Sequence, residues 1–240
     1  MGDGDCVYND YEGFAAAYAQ DNEANAFNAG YERPAILALA GEVRGLRVLD
    51  AGCGGGAHAA ALTERGAEVT GIDASAALLE VARRRLGPDV PLAQADLSRP
   101  LPFPDDSFDL VLSALVLHYL RDWAPTLEEF RRVLVPHGRV VLSTHHPFMD
   151  MRISGSDDYF GTYTYTDDWL RDGRTMRMRF WHRPLRAMLA AFRAAGFTVT
   201  EIAEPEPQEY VAATEPECYR QLTRQPQFLF FVLTAPADQA

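Results

Sequence analysis

Nine residues constrain this chain more than any others. At Val48 to Gly56, VLDAGCGGG, a short apolar run passes straight into glycines and then into the Ala-rich stretch Ala57 to Arg65, which Gly66 closes. A strand that ends in glycines and reopens as a helix puts backbone N–H groups at a helix N-terminus, on the carboxyl edge of a parallel sheet where ligands bind. Gly52, Gly54, Gly55 and Gly56 supply more backbone freedom than a plain connecting turn requires. The turn therefore reads as a ligand cradle. Around it the chain alternates apolar runs with helical patterns, the mark of an α/β sheet protein. The strand candidates are Leu46 to Asp50, Glu68 to Asp73, Pro91 to Asp96, Phe108 to Leu115, Arg139 to Thr144, Phe197 to Ala203 and Phe228 to Thr234. Ser75 opens a helix over Ala76 to Leu86 that Gly87-Pro88 ends, Thr126 and Glu129 have capping-box spacing ahead of LEEFRRVL, and Pro184 precedes LRAMLAAFRAAG.

The glycines alone fit two cofactors. Gly52, Gly54 and Ala57 match a dinucleotide GxGxxA pattern, with Asp73 at the spacing of a ribose ligand. Asp50, two residues before Gly52, favours the other: a carboxylate there repels a pyrophosphate but attracts the α-ammonium of S-adenosylmethionine, whose sulfonium also avoids positive charge. The formal net charge is -12 over 240 residues, which opposes nucleic-acid binding. No apolar run is long enough to span a bilayer and MGDGDCVYND lacks the features of a secretion signal, so no membrane partner and a cytoplasmic location are expected. Cys6, Cys53 and Cys218 are odd in number and unpaired by spacing, and read as reduced thiols.

Four segments occur in order over residues 46 to 147: VLDAGCGGG, VTGIDAS, AQADLSRPLPFPDDSFDLVLSALVLHYL and LEEFRRVLVPHGRVVLSTHHP. Together they resemble the class I S-adenosylmethionine-dependent methyltransferases of the small-molecule type, and HRPLRAMLAAFRAAGF with FLFFVLTAP resembles that family's C-terminal half. The resemblance implies a Rossmann-like three-layer sandwich with a mostly parallel seven-stranded sheet whose last strand is antiparallel. It also implies S-adenosyl-L-methionine as cofactor. Carried over by position, Asp73 accepts the ribose hydroxyls, Ala74 lines the adenine, Asp96 accepts the adenine amino group, Leu97 covers the ring, and Ser113 and Ala114 lie beneath the cofactor. Asp50, Ala51, Gly52 and Gly54 form the turn, with Tyr18 and Arg33 as further cofactor candidates, Arg33 for the carboxylate.

Methyl transfer is an in-line displacement in which alignment supplies much of the acceleration, and a hydroxyl or protonated-amine acceptor gains from a nearby histidine base. His146, His145 and His118 are the candidates, in that order, the first two being expected on opposite sides of a strand end. No carboxylate cluster has a spacing that suggests a metal. A single domain is expected: an N-terminal helical cap (1–45), the cofactor core (46–147), an aromatic lid or substrate insertion (148–181), and the rest of the sheet (182–240). The expected partner is a small-molecule acceptor, enclosed by lid aromatics with Tyr8, Tyr11 and Tyr18, for a monomer or homodimer. A nicotinamide-dependent oxidoreductase and a catalytically silent cofactor-binding protein are the alternatives.

Overall fold

The alternation of strand and helix resolves into one sheet flanked by two helical layers. The structure, a computed structural model, describes residues 8–171 and 173–237; Cys6 lies outside them. In chain order the elements are α1 (Ala15–Ala24), a π turn (Asn28–Glu32) running into α2 (Arg33–Ala40), β1 (Arg47–Ala51), α3 (Ala57–Glu64), β2 (Glu68–Asp73), α4 (Ala76–Leu86), β3 (Leu92–Gln94) and β4 (Phe108–Ala114). A 3-10 turn (Leu117–Tyr119) leads to α5 (Ala124–Val133), β5 (Leu134–His145), α6 (Pro147–Ser154), β6 (Tyr163–Arg171), β7 (Arg174–His182), α7 (Leu185–Ala194), β8 (Thr198–Ala203), α8 (Tyr210–Thr214), α9 (Pro216–Leu222) and β9 (Phe228–Thr234).

The seven-stranded sheet has the order β3-β2-β1-β4-β5-β9-β8, and β9 runs antiparallel to both of its neighbours. The strand order reverses between β1 and β4, which opens a crevice beyond their carboxyl ends. Strand alternation splits the core between the two faces. Leu229, Phe231 and Leu233 pack with α5 and α7 through Phe130, Met188 and Phe192, whereas Phe228, Phe230 and Val232 pack with Tyr31, Ile36 and Leu62 on the other side. Burial on both faces is why FLFFVLT is apolar without interruption.

The expected strands are present with small shifts at their ends, β5 being extended back to Leu134 through a bulge against β4. Two local readings change. Helix α5 begins at Ala124, where the Asp122 carboxylate accepts the Ala124 N–H (3.0 Å), so Thr126 lies inside the helix and donates its hydroxyl to the Leu97 carbonyl (2.7 Å). Segment 148–181 folds as α6 and a separate β6–β7 hairpin. The chain before α1 is fastened to that hairpin: Asn9 exchanges three hydrogen bonds with the Arg177 and Arg179 backbone (2.8–3.1 Å), and Arg179 lies over the Tyr8 ring.

Candidate functional site

The glycine turn after β1 can adopt its shape only without side chains. Gly52 has φ +86, and a Cβ there would stand 2.3 Å from Val116 Cγ2. Gly54 has φ +52 with open space where its Cβ would be, so it faces a cavity. The turn is tied to β2 by Asp73, which accepts the Gly54 N–H on one carboxylate oxygen and the Ser75 N–H on the other, both at 2.8 Å. Burial holds the Asp73 carboxyl above its ordinary pKa. One side chain therefore shapes the turn and the start of α4, which Ser75 caps.

Around this turn lies a cavity of about 360 Å³. Its floor comes from Gly52, Gly54, Asp73 and Ala74, one wall from Ala95, Asp96 and Leu97 after β3, and the opposite wall from Ala114 to Val116 with Tyr119. The segment Asn9 to Glu12 and Tyr18 cover it, and Glu12 accepts the Ala77 N–H at the start of α4. Asp10, Glu12, Asp73 and Asp96 bring four carboxylates to its lining, and no Lys, Arg or His lines it among the described residues. Such a wall repels phosphates and suits a cation. A smaller cavity shares Tyr18, Gly52, Gly54, Ala114 and Leu115, and adds Asn22, Glu32 and His58.

Glu32 is a functional candidate that sequence reasoning missed. It comes from the π turn, is fully buried, accepts the Ser143 hydroxyl (2.7 Å), and sits 2.9 Å from His58 Nε2. Burial alone lowers the His58 ring pKa, but the Glu32 and Asp50 carboxylates more than offset this and hold it above its ordinary value. A glutamate outside any motif carries no signal in one sequence beyond its place in an apolar stretch.

The other expected cofactor residues divide by position. Gly52, Gly54, Asp73, Ala74, Asp96, Leu97, Ala114 and Tyr18 line the cavities; Asp50, Ala51, Ser113 and Arg33 do not. Arg33 is turned toward α1, donating to the Asn22 carbonyl (2.8 Å) and lying 3.6 Å from Glu23. Ser113 and Asp50 are fully buried, with the Ser113 hydroxyl and both Asp50 oxygens unpartnered. Burial pushes the Asp50 pKa up to about 6 from 3.8. A carboxyl that binds its proton more tightly in the folded state stabilises the fold fully below the unfolded value and loses that contribution as pH rises through the folded one. The cofactor-free protein is therefore expected to lose about 3 kcal/mol relative to Asp50→Asn between about pH 3 and 7. Urea unfolding of both proteins across that range checks this; a difference that stays constant with pH contradicts it.

The histidines also separate. His146 is consumed by structure: its Nδ1 accepts the Phe148 N–H to cap α6, and its Nε2 donates to Glu204 (2.9 Å). It lines neither cavity, because the strand ends at His145 and the chain turns into α6 at Pro147. His145 and His118 also line neither cavity; they are buried and stacked, with ring centroids 3.7 Å apart. Cys53 is a buried free thiol and Cys218 a half-buried one. Among the described residues, no group of three or more His, Cys, Asp or Glu side chains is placed to hold a metal ion, and no helix is long and apolar enough to cross a membrane.

Comparison with known proteins gives the same picture. Residues 49–142 match the family model described as a methyltransferase domain. The chain is 42% identical over 112 residues to a demethylmenaquinone methyltransferase of Clavibacter sepedonicus, covering 46% of this chain and 45% of that one. It is 37% identical over 107 residues to a ubiquinone biosynthesis O-methyltransferase of Alkalilimnicola ehrlichii, covering 43% of each. These matches span about half the length of the curated relatives. A solved S-adenosylmethionine dependent methyltransferase from Mesorhizobium loti is similar over nearly its whole length, with 33% identity, 84% of this chain and 96% of that chain covered, and a TM-score of 0.71. With the glycine turn, the strand-end acidic residues and the sheet order in place, the chain belongs to the class I S-adenosylmethionine-dependent methyltransferases.

Proposed function

We propose that this protein transfers the methyl group of S-adenosylmethionine to a hydroxyl group on a small aromatic molecule. The observation that carries the reading is the cavity wall with four carboxylates and no basic side chain, a setting for a cationic cofactor and a poor one for a dinucleotide. The bound cofactor supplies an electrophilic methyl on a sulfonium leaving group. Asp73 takes the ribose hydroxyls, Asp96 and Leu97 with Ala74 take the adenine, and the smaller cavity beside Gly52, Gly54 and Tyr18 takes the amino-acid end. Glu32 holds the α-ammonium there, the task that the sequence suggested for Asp50.

An aromatic acceptor is supported by the third apolar cluster, where Tyr165, Met176, Met178 and Phe180 of the hairpin meet Tyr11, Phe14, Tyr119 and Trp169. Tyr11 and Tyr119 also line the cofactor cavity, which makes this cluster its neighbour. Those two rings, with Tyr18, give the cavity aromatic faces that suit flat, partly apolar molecules. The relative named as a ubiquinone biosynthesis O-methyltransferase supports an oxygen acceptor. Incubation with S-adenosylmethionine and a panel of catechols, hydroquinones and aromatic amines, read by formation of S-adenosylhomocysteine, tests the reading; turnover of amines alone contradicts it.

The Glu32 assignment has its own test. Glu32→Gln is expected to weaken S-adenosylhomocysteine about 10-fold or more by calorimetry, while leaving methylthioadenosine, which has no amino-acid end, within about 3-fold. Equal weakening of both ligands contradicts the assignment.

A further inference from the structure

The wall of the larger cavity contains a backbone bend that its sequence does not favour. Leu115, the first residue after β4, has φ +53. In that left-handed conformation the Cβ of any L-residue crowds its own backbone, and glycine alone adopts it freely. The chain nonetheless carries a leucine there. Strain of this kind persists only where the surroundings hold it, and it gathers at sites that use it.

The hold on Leu115 is a directed chain of hydrogen bonds. The ladder between β4 and β5 ends at the Ala114–Ser143 pair, and the next N–H, that of Leu115, is shared between the Ser143 carbonyl (3.1 Å) and the Ser143 hydroxyl oxygen (3.0 Å). Ser143 has one hydroxyl hydrogen and gives it to the Glu32 carboxylate (2.7 Å), so the serine oxygen is left to accept. Ser143 and Glu32 are both fully buried. Beyond the bend, Val116 packs into the space that Gly52 leaves by having no Cβ. The turn after β1 and the turn after β4 therefore fix each other.

The leucine stands where the two cavities meet. Among the described residues the cavities share Tyr18, Gly52, Gly54, Ala114 and Leu115. Of these, only Tyr18 and Leu115 carry more than a methyl group, so they set the room at the junction. Tyr18 belongs to α1 in the cover, whereas Leu115 stands on the end of β4, the central strand, half-buried against the apolar cluster that contains Tyr31, Ile36 and Leu62. With the adenosine in the larger cavity and the amino-acid end in the smaller, as proposed above, the sulfur that joins them lies at this junction. Its third substituent has to fit beside the leucine.

We propose that Leu115 limits the size of the alkyl group that the protein accepts on the cofactor's sulfur, with Ser143 and Glu32 as positioning residues that keep it in place. The inference rests on the cofactor placement above. One carboxylate then does two things: Glu32 holds the α-ammonium at one end of the cofactor and, through Ser143, the wall beside the methyl group. A methyl fits against that wall. One further methylene would have to displace a side chain whose backbone is held on both sides, and overfilling a fitted site is unfavourable.

Calorimetric titration with S-adenosylmethionine, its S-ethyl homologue and S-adenosylhomocysteine tests this without any acceptor. The unmodified protein is expected to bind the ethyl compound about 10-fold or more weakly than the methyl one, the usual effect of one methylene in a close-fitting apolar site. In Leu115→Ala the two are expected to fall within about 3-fold of each other, while S-adenosylhomocysteine, which has no alkyl group to place, stays within about 3-fold of its affinity for the unmodified protein. Leu115→Met, similar in volume, is expected to keep a preference of about 5-fold or more. Ser143→Ala keeps the leucine but cuts its link to Glu32, and its preference is expected to lie between those of Leu115→Ala and the unmodified protein; an unchanged preference overturns the positioning role. Equal weakening of all three ligands in Leu115→Ala gives the leucine a structural part only and overturns the proposal. An unmodified protein that binds the methyl and ethyl compounds alike overturns it with no variant needed, and leaves the cofactor placement standing. No binding of any of the three overturns both.

Discussion

Asp73→Ala is expected to raise the dissociation constant of S-adenosylhomocysteine by about 100-fold or more. Two contributions combine. The variant removes a half-buried carboxylate able to accept two charge-assisted hydrogen bonds from vicinal hydroxyls, each worth about 1.5–3 kcal/mol. It also removes the two acceptors that hold the Gly54 and Ser75 N–H groups, so the glycine turn loses its tie to β2. About 3 kcal/mol already corresponds to about 100-fold in affinity. Asp73→Asn keeps one oxygen acceptor and is expected to lose about 10-fold. Calorimetric titration of the three proteins decides the matter; a change of less than about 3-fold in Asp73→Ala removes Asp73 from the ribose site.

The second large effect is on stability. Phe231→Ala is expected to cost about 4 kcal/mol and to lower Tm by about 10 °C. Phe231 is fully buried at the centre of β9, with its ring 4.9 Å from that of Phe192 on α7, and it pairs with Leu142 of β5 and Ile202 of β8. A cavity there is flanked on both sides by strands that cannot close over it without breaking register. Phe160, 61% exposed, serves as the comparison, and its alanine variant is expected within about 1 kcal/mol of the parent. Thermal unfolding followed by circular dichroism checks both. Equal shifts in the two variants contradict this account of the core.

What could be read from the sequence was what the chain writes locally. The strands around the sheet are short apolar runs with turn residues at their ends, and Asp73, Asp96, Leu97 and Ala114, expected by counting from those ends, line the larger cavity. Contacts set by tertiary closure were not legible. Glu32 reaches the smaller cavity because the π turn carries it against Ser143, 111 residues away. Asp150 meets His182 across 32 residues, and no local pattern marks the pair. Asp50 shows the opposite error: the charge argument was sound for a residue facing the ligand, but strand alternation points its side chain into the interior. His146 caps α6 for a similar reason, since alternation stops where a proline starts a helix.

The position of β9 has a consequence for how the molecule is made. Among the described residues β8 has no sheet partner other than β9, and β5 has its second edge open until β9 arrives, although β9 comes last in sequence of the seven strands. On the ribosome, the nascent chain therefore carries an unfinished sheet with an exposed edge for as long as it takes to emit the stretch between β8 and β9. The final strand must insert between two partners and bury six consecutive apolar side chains in one step. Until β9 pairs, the open edge of β5 is a surface of the kind through which unfinished chains associate.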